Sequence, residues 1–247
     1  MKSATIETQA GFLKRNVPNT ITVISLCSGL TAIRMVLADR IELAVLFILL
    51  SVVLDGVDGK MARYLNVSSP FGAELDSLAD FLCFGVAPGL VLYRYLFEGT
   101  PYAGIGWMVV LCLVISCILR LARFNIAADR KPKDGIKSPY FVGVPAPALA
   151  FLALAPVFLI LSGVDSVQSH PFMLLPYLAG VAGLAISTIP TFSPVSAWRR
   201  LGPKKWLPFL VIICIAGAFT FFWQFLVLVS VLYLCSIGFS HFAAKNQ

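Results

Sequence analysis

Apolar stretches of about twenty residues recur almost without pause along this 247-residue chain, separated by turns only a few residues long. A stretch of that length crosses the roughly 30 Å hydrocarbon core of a bilayer as a helix, because a helix satisfies its own backbone hydrogen bonds where no water can. Read in windows of about 19 residues, the chain places spans near 18–38, 41–62, 70–97, 104–128, 143–163, 171–190, 205–222 and 225–242. The last apolar stretch, Trp206 to Phe239, is 34 residues, or about 51 Å of helix. It is therefore divided near Trp223 and Gln224; one long tilted helix, seven spans in all, is the alternative and would move the C-terminus across the membrane. The expected fold is an all-α integral membrane protein, a polytopic bundle of about eight transmembrane helices forming a single membrane domain over 1–247. A composition of 59% hydrophobic and 13% charged residues, against roughly 25% charged in soluble domains, excludes a soluble globular protein.

Charge sets the expected orientation. Sixteen of the 19 Lys and Arg fall in the N-terminal segment, the second, fourth and sixth turns and the tail, while Arg34, Arg40 and Arg94 fall on the opposite side. The positive-inside rule then puts both termini in the cytoplasm, and the protein in the cytoplasmic (inner) membrane if the chain is bacterial. The net charge of +7 is spread over these turns, with no basic stripe or tail, so membrane lipids and not nucleic acid are the expected counterpart. Asp129–Pro139 reads as a basic cytoplasmic loop broken by Pro132, Gly135 and Pro139. The six cysteines lie inside apolar stretches without a CxxC pair and read as small core residues. The first apolar run lacks a small-residue cleavage site, so the first span is expected to stay in the mature protein.

Five of the twelve acids lie between positions 55 and 80: Asp55, Asp58, Glu74, Asp76 and Asp80. An Asp at the centre of a membrane helix costs about 2.5–3.5 kcal/mol, so such density needs a compensating charge. Asp55 and Asp58 are spaced i, i+3 at the end of the second span, and Asp76 and Asp80 i, i+4 near the start of the third, so each pair shares a helix face. The polar turn Tyr64–Pro70 joins these two helices closely. Antiparallel neighbours pack about 8–10 Å apart, and two Asp pairs in that gap could hold one or two hard cations. Oxygen ligands without His or Cys favour Mg²⁺ or Mn²⁺, and paired metals about 4 Å apart recur in displacement at phosphorus. Gly59, Ala62 and Gly72 keep the neighbouring surface free of bulk, and the Arg63 guanidinium can fork onto phosphate. Glu74 points away from Asp76 by about 160° and from Asp80 by about 120° and is left out of the metal shell. Intramembrane carboxylates also mark ion pathways, so a cation or proton transporter is the alternative from another class; it does not explain the small residues and Arg63 at their spacing.

Asp55-x-x-Asp58-Gly59-x-x-Ala62-Arg63, then eight residues, then Gly72-x-x-x-Asp76-x-x-x-Asp80 resembles the full signature of the CDP-alcohol phosphotransferase family. The resemblance implies a six-helix catalytic core, here 18–190, followed by two additional C-terminal helices over 205–242. It implies attack of an acceptor hydroxyl on the β-phosphorus of a CDP-linked lipid, with release of CMP. By the same resemblance Asp55, Asp58, Asp76 and Asp80 would bind two divalent cations per active site, and Asp80 would also be the general base. Gly59, Ala62, Arg63 and Gly72 would form the CDP-lipid pocket, with Ser69 a further contact to the diphosphate. Pro18-Asn19-x-x-Thr22 resembles the segment before the first core helix of the family, which brings Asn19 and Thr22 to the nucleotide; Asn19 as a helix N-cap is the other reading. A homodimer is implied as well.

The acceptor is read from two further segments. Arg120-Leu-Ala-Arg123-Phe-Asn125 and Phe141-x-Gly143-x-Pro145-x-Pro147 resemble the phosphatidylserine synthase branch of the family, which implies CDP-diacylglycerol and L-serine as substrates. Arg120, Arg123 and Asn125 could receive a serine carboxylate or a lipid phosphate, or the arginines could be interfacial anchors. Glycerol 3-phosphate, inositol phosphate or choline are the alternative acceptors. Neither His170 nor His241 starts an H-x-K motif, so a covalent phosphatidyl-histidine route has no residues here.

Overall fold

The computed structural model describes residues 2–65, 67, 69–129, 141–142, 144–187, 190–191, 216–217 and 219–245. Among these, the chain is helical apart from one very short strand pair. Contacts divide it into two compact units, Met1–Tyr95 and Leu96–Gln247.

The first unit holds α1 (Lys2–Leu37), α2 (Ile41–Leu65), α3 (Pro70–Asp80) and α4 (Ala87–Leu92). Helix α1 begins at Lys2, well before the expected start near 18, and runs through Pro18. The proline forfeits one backbone hydrogen bond, yet the helix continues. Asn19 is therefore inside a helix, and its reading as an N-cap is corrected.

One face of α1 explains its partner. Pro18, Thr22, Ser25, Ser28, Gly29, Ala32 and Val36 are buried at helical spacing, while Val23, Ile24, Leu30 and Leu37 are exposed. Small buried residues let α2 approach closely, and their hydroxyls clip the two helices together. The Ser25 hydroxyl donates to the Ser51 carbonyl at 3.3 Å, the Ser51 hydroxyl to the Ser25 carbonyl at 3.1 Å, and the Ser28 hydroxyl to the Phe47 carbonyl at 2.7 Å. A Cβ on Gly29 would overlap the Cys83 sulfur. The turn between α1 and α2 uses Asp39 at φ 57°, and the Arg94 guanidinium donates to both oxygens of Asp39, at 2.8 and 2.9 Å.

The third span is continuous from Pro70 to Phe97 as expected, but not uniformly α-helical. It widens into π-helical turns at Phe81–Val86, directly after Asp80, and at Tyr93–Phe97. Turns of this kind re-aim the side chains on either side of them.

The second unit contains α5 (Ala103–Asp129), α6 (Ala146–Ala153), α7 (Ala155–Leu161), the single turn α8 (Ser166–Ser169), α9 (Pro171–Ile186) and α10 (Phe222–Lys245). The fifth expected span, 143–163, is broken at Leu154, with α6 and α7 on either side. Pro156 has no N–H for the Leu152 carbonyl four residues earlier, and the Tyr177 hydroxyl of α9 donates to that carbonyl instead, at 2.8 Å. The sixth span ends at Ile186. Phe141–Val142 pairs antiparallel with Pro190–Thr191, a departure from the purely helical expectation; Pro190 lacks a donor and keeps the pairing short. The basic loop at 130–139 and the seventh expected span as far as residue 215 lie outside the described residues.

Three helices among the described residues, Asn16–Leu37, Pro70–Phe97 and Ala103–Ala127, are long and apolar enough to cross a membrane, and Pro171–Ile186 and Phe222–Gly238 are shorter apolar helices. Helix α2 fails that test for an informative reason: every 18-residue stretch of it carries at least three ionisable side chains, Asp55 among them or beside them.

Candidate active site

Helices α1, α2 and α3 meet around carboxylates. Carboxylate oxygens of Asp55, Asp76 and Asp80 all lie within 4.8 Å of one another, and all three residues are partly buried. Asp55 and Asp80 are within hydrogen-bonding reach across the α2–α3 gap. Asp58 lies beside this trio: only 4% exposed, it accepts a 2.8 Å hydrogen bond from the Thr22 hydroxyl of α1. The four aspartates thus divide into a converging trio and one carboxylate held by a neighbouring helix. Glu74 is exposed and outside the cluster.

A cleft of about 180 Å³ opens beside the trio. Its walls include Asn19 and Thr22 of α1, Asp58, Gly59 and Ala62 of α2, and Ser69, Gly72 and Asp76 at the start of α3. Asp76 belongs to both the cleft and the trio, so a ligand in the cleft lies against the carboxylates. Gly72 lies against α1: a Cβ there would lie 2.8 Å from Asn19 Oδ1 and 3.1 Å from Ser69 Oγ, so the Asn19 side chain would have to swing aside. Ser69 caps α3, its hydroxyl oxygen accepting from the Gly72 N–H at 3.0 Å, with Pro70 in the first turn where its missing N–H does no harm. Arg63 is exposed, and its guanidinium lies 3.9 Å from where a Gly59 Cβ would sit, over the floor of the cleft.

The trio fits a metal on its own chemistry. Three partly buried carboxylates this close repel one another, and a divalent cation relieves that repulsion while taking only oxygen ligands. Residues expected to bind the nucleotide and residues expected to bind metal are therefore contiguous, with Thr22 touching a carboxylate as well as lining the cleft.

Residues 15–189 match the CDP-alcohol phosphatidyltransferase family. The chain belongs to the CDP-alcohol phosphatidyltransferase family. Members of this family are metal-dependent membrane enzymes, and the apolar helices above agree with an integral membrane protein. Among curated relatives, the CDP-diacylglycerol–serine O-phosphatidyltransferase of Mycobacterium tuberculosis is 34% identical over 224 residues, covering 91% of this chain and 77% of that protein. The protein of the same name from Bacillus subtilis is 36% identical over 192 residues, 77% of this chain and 98% of the relative. A third, from Mycobacterium leprae, is 39% identical over 174 residues; the match takes in 70% of this chain and 57% of that relative's length.

The expected acceptor residues belong to the second unit. Arg120 and Asn125 are half-buried on α5 and Arg123 is exposed. Arg123 donates to the Ile186 carbonyl at 2.8 Å, at the C-terminal end of α9, where a cation meets the negative end of the helix dipole. Sequence reasoning missed that partner. It also missed Ser25, Ser28 and Ser51, whose signal was present as small residues recurring at helical spacing along the first two spans.

Proposed function

We infer that this chain transfers the phosphatidyl group of CDP-diacylglycerol to the hydroxyl of L-serine, giving phosphatidylserine and CMP. The observation that carries this reading is the convergence of Asp55, Asp76 and Asp80 beside a cleft lined by Gly59, Ala62 and Gly72. The names of relatives that match over most of the chain supply the acceptor.

Asp55, Asp76 and Asp80, joined by Asp58, would hold two divalent cations, Mg²⁺ or Mn²⁺. Bound there, such ions neutralise the diphosphate and the charge gathering on the departing CMP. The chain's own residues do the rest. Gly59, Ala62 and Gly72 leave room for the nucleotide to lie against α2 and α3. Arg63 and the Ser69 hydroxyl are positioned to donate to phosphate oxygens, and Asn19 borders the same cleft. Asp80 takes the proton of the serine hydroxyl as its oxygen bonds to the β-phosphorus; the bond from that phosphorus to the bridging oxygen breaks, and CMP leaves with that oxygen. Direct displacement needs no covalent intermediate on the protein. Arg120, Arg123 and Asn125 are the proposed receptors for the serine carboxylate or a lipid phosphate.

The architecture proposed around this site is eight spans with both termini cytoplasmic, a core over 18–190, two further helices over 205–242, and a homodimer. The family match over 15–189 and the sixteen-to-three distribution of basic residues support it. The test is CMP release by the detergent-purified full chain given CDP-diacylglycerol and, separately, serine, glycerol 3-phosphate, inositol phosphate or choline. Release with serine is expected; release with glycerol 3-phosphate and none with serine overturns the acceptor. Turnover in detergent, where no membrane potential exists, separates an enzyme from a transporter.

A further inference from the structure

We propose that Thr22 is a positioning residue for Asp58, fixing how its carboxylate is presented to a cation. This inference rests on the metal-dependent reading of the site and departs from the direct nucleotide contact that the sequence resemblance implies for Thr22. Three observations meet at this residue. Thr22 and Asp58 are both buried, at 5% and 4% exposure, so their bond is shielded from competing water. The Thr22 hydroxyl lies 2.8 Å from Asp58 Oδ2 and 3.1 Å from the Pro18 carbonyl of its own helix. A hydroxyl has one proton, and an ionised carboxylate can only accept; the shorter, charge-assisted bond therefore takes the proton.

The Gly59 backbone also hydrogen-bonds the Asp58 carboxylate, so its plane is set from α1 by Thr22 and from α2 by Gly59, and the lone pairs left over are held in a fixed direction for a cation. The contrast with the serines at the same α1–α2 interface sharpens this assignment. The Ser25, Ser28 and Ser51 hydroxyls bond to backbone carbonyls and so join helix to helix. Thr22 reaches a carboxylate, beside the trio to which Asp58 contributes repulsion. Removing a group that orients a metal ligand typically weakens metal affinity by about 10–100-fold.

The test measures Mn²⁺ binding to the purified full chain by loss of the free-ion electron paramagnetic resonance signal, together with CMP release. Thr22→Val keeps the shape and removes the hydroxyl; Thr22→Ser restores it. About tenfold weaker Mn²⁺ binding in Thr22→Val, recovery in Thr22→Ser, and a CDP-diacylglycerol KM that is raised at limiting Mn²⁺ but falls back towards the wild-type value as Mn²⁺ saturates are expected. Ser28→Ala, which also strips an α1–α2 hydrogen bond, is expected to keep wild-type Mn²⁺ affinity. Wild-type affinity in Thr22→Val overturns the proposal, as does a raised CDP-diacylglycerol KM with Mn²⁺ binding intact, or an equal loss of Mn²⁺ in Ser28→Ala. If valine prevents folding, Thr22→Ala is read in the same way. Mn²⁺ binding is measured without any acceptor, so an error in the choice of serine leaves this outcome untouched.

Discussion

The α1–α2–α3 region and the α5–α9 pair are both built from helices, yet they are held together differently. In the first unit the interface is polar and small: hydroxyls on α1 and α2 exchange bonds with backbone carbonyls, Gly29 admits a close neighbour, and carboxylates gather where the helices meet. In the second, α5 buries Val110, Leu113, Cys117 and Leu121, and α9 buries Leu175, Leu178, Val181 and Ala185. Phe158 of α7 packs against Phe151 of α6 and Trp223 of α10, with ring centroids 5.2 and 6.5 Å apart. The lesson is one of solvent. Lipid tails are as apolar as leucine, so apolar contact contributes only packing, whereas each hydroxyl or carboxylate in the interior demands a partner and thereby fixes geometry. The chemistry-bearing region uses the bonding that fixes geometry.

Four substitutions probe that contrast, in order of expected effect. Asp80→Asn removes a member of the trio and the proposed proton acceptor, and CMP release should fall about a thousandfold or more; retained CDP-lipid binding shows that the cleft is intact, and full activity would break the assignment. Gly72→Ala introduces a Cβ 2.8 Å from Asn19 Oδ1. The Asn19 amide must swing aside within the cleft it borders, so the KM for CDP-diacylglycerol should rise several-fold with little change in Mn²⁺ affinity.

In the second unit the effect should fall on stability. Arg123→Gln loses the charge-assisted bond to the Ile186 carbonyl and should lower thermal stability by about 1 kcal/mol; a raised serine KM in the same variant would add an acceptor role to the structural one. The smallest effect is expected back in the first unit, from Arg94→Gln, which breaks the exposed pair with Asp39. Such pairs contribute roughly 0–1 kcal/mol, and the difference in melting temperature from wild type should shrink further in high salt.

Much of the site could be read before the fold. The spacing of Asp55, Asp58, Gly59, Ala62, Arg63, Gly72, Asp76 and Asp80 places like residues on helix faces by the 3.6-residue period alone, and Gly72 is small for a reason that Asn19 then makes concrete. The limits are equally specific. Whether Asn19 began a helix or lay within one depended on α1 extending upstream through Pro18, which a local proline rule does not decide. The break at Leu154 is accompanied by Tyr177, whose hydroxyl donates to the Leu152 carbonyl, 25 residues earlier, in place of the N–H that Pro156 lacks.

Local chemistry, then, determined which stretches are helical and apolar, which faces carry acids, and which small residues keep a cleft open, because these follow from side-chain type and helical period along one strand of chain. Tertiary structure alone decided that Asp58 turns to Thr22 while Asp55, Asp76 and Asp80 converge, and that Arg123 ends on the carbonyl of Ile186. Those outcomes are set by distances between residues 36 and 63 positions apart, and a hydrogen bond acts only once packing has brought its two ends within about 3 Å.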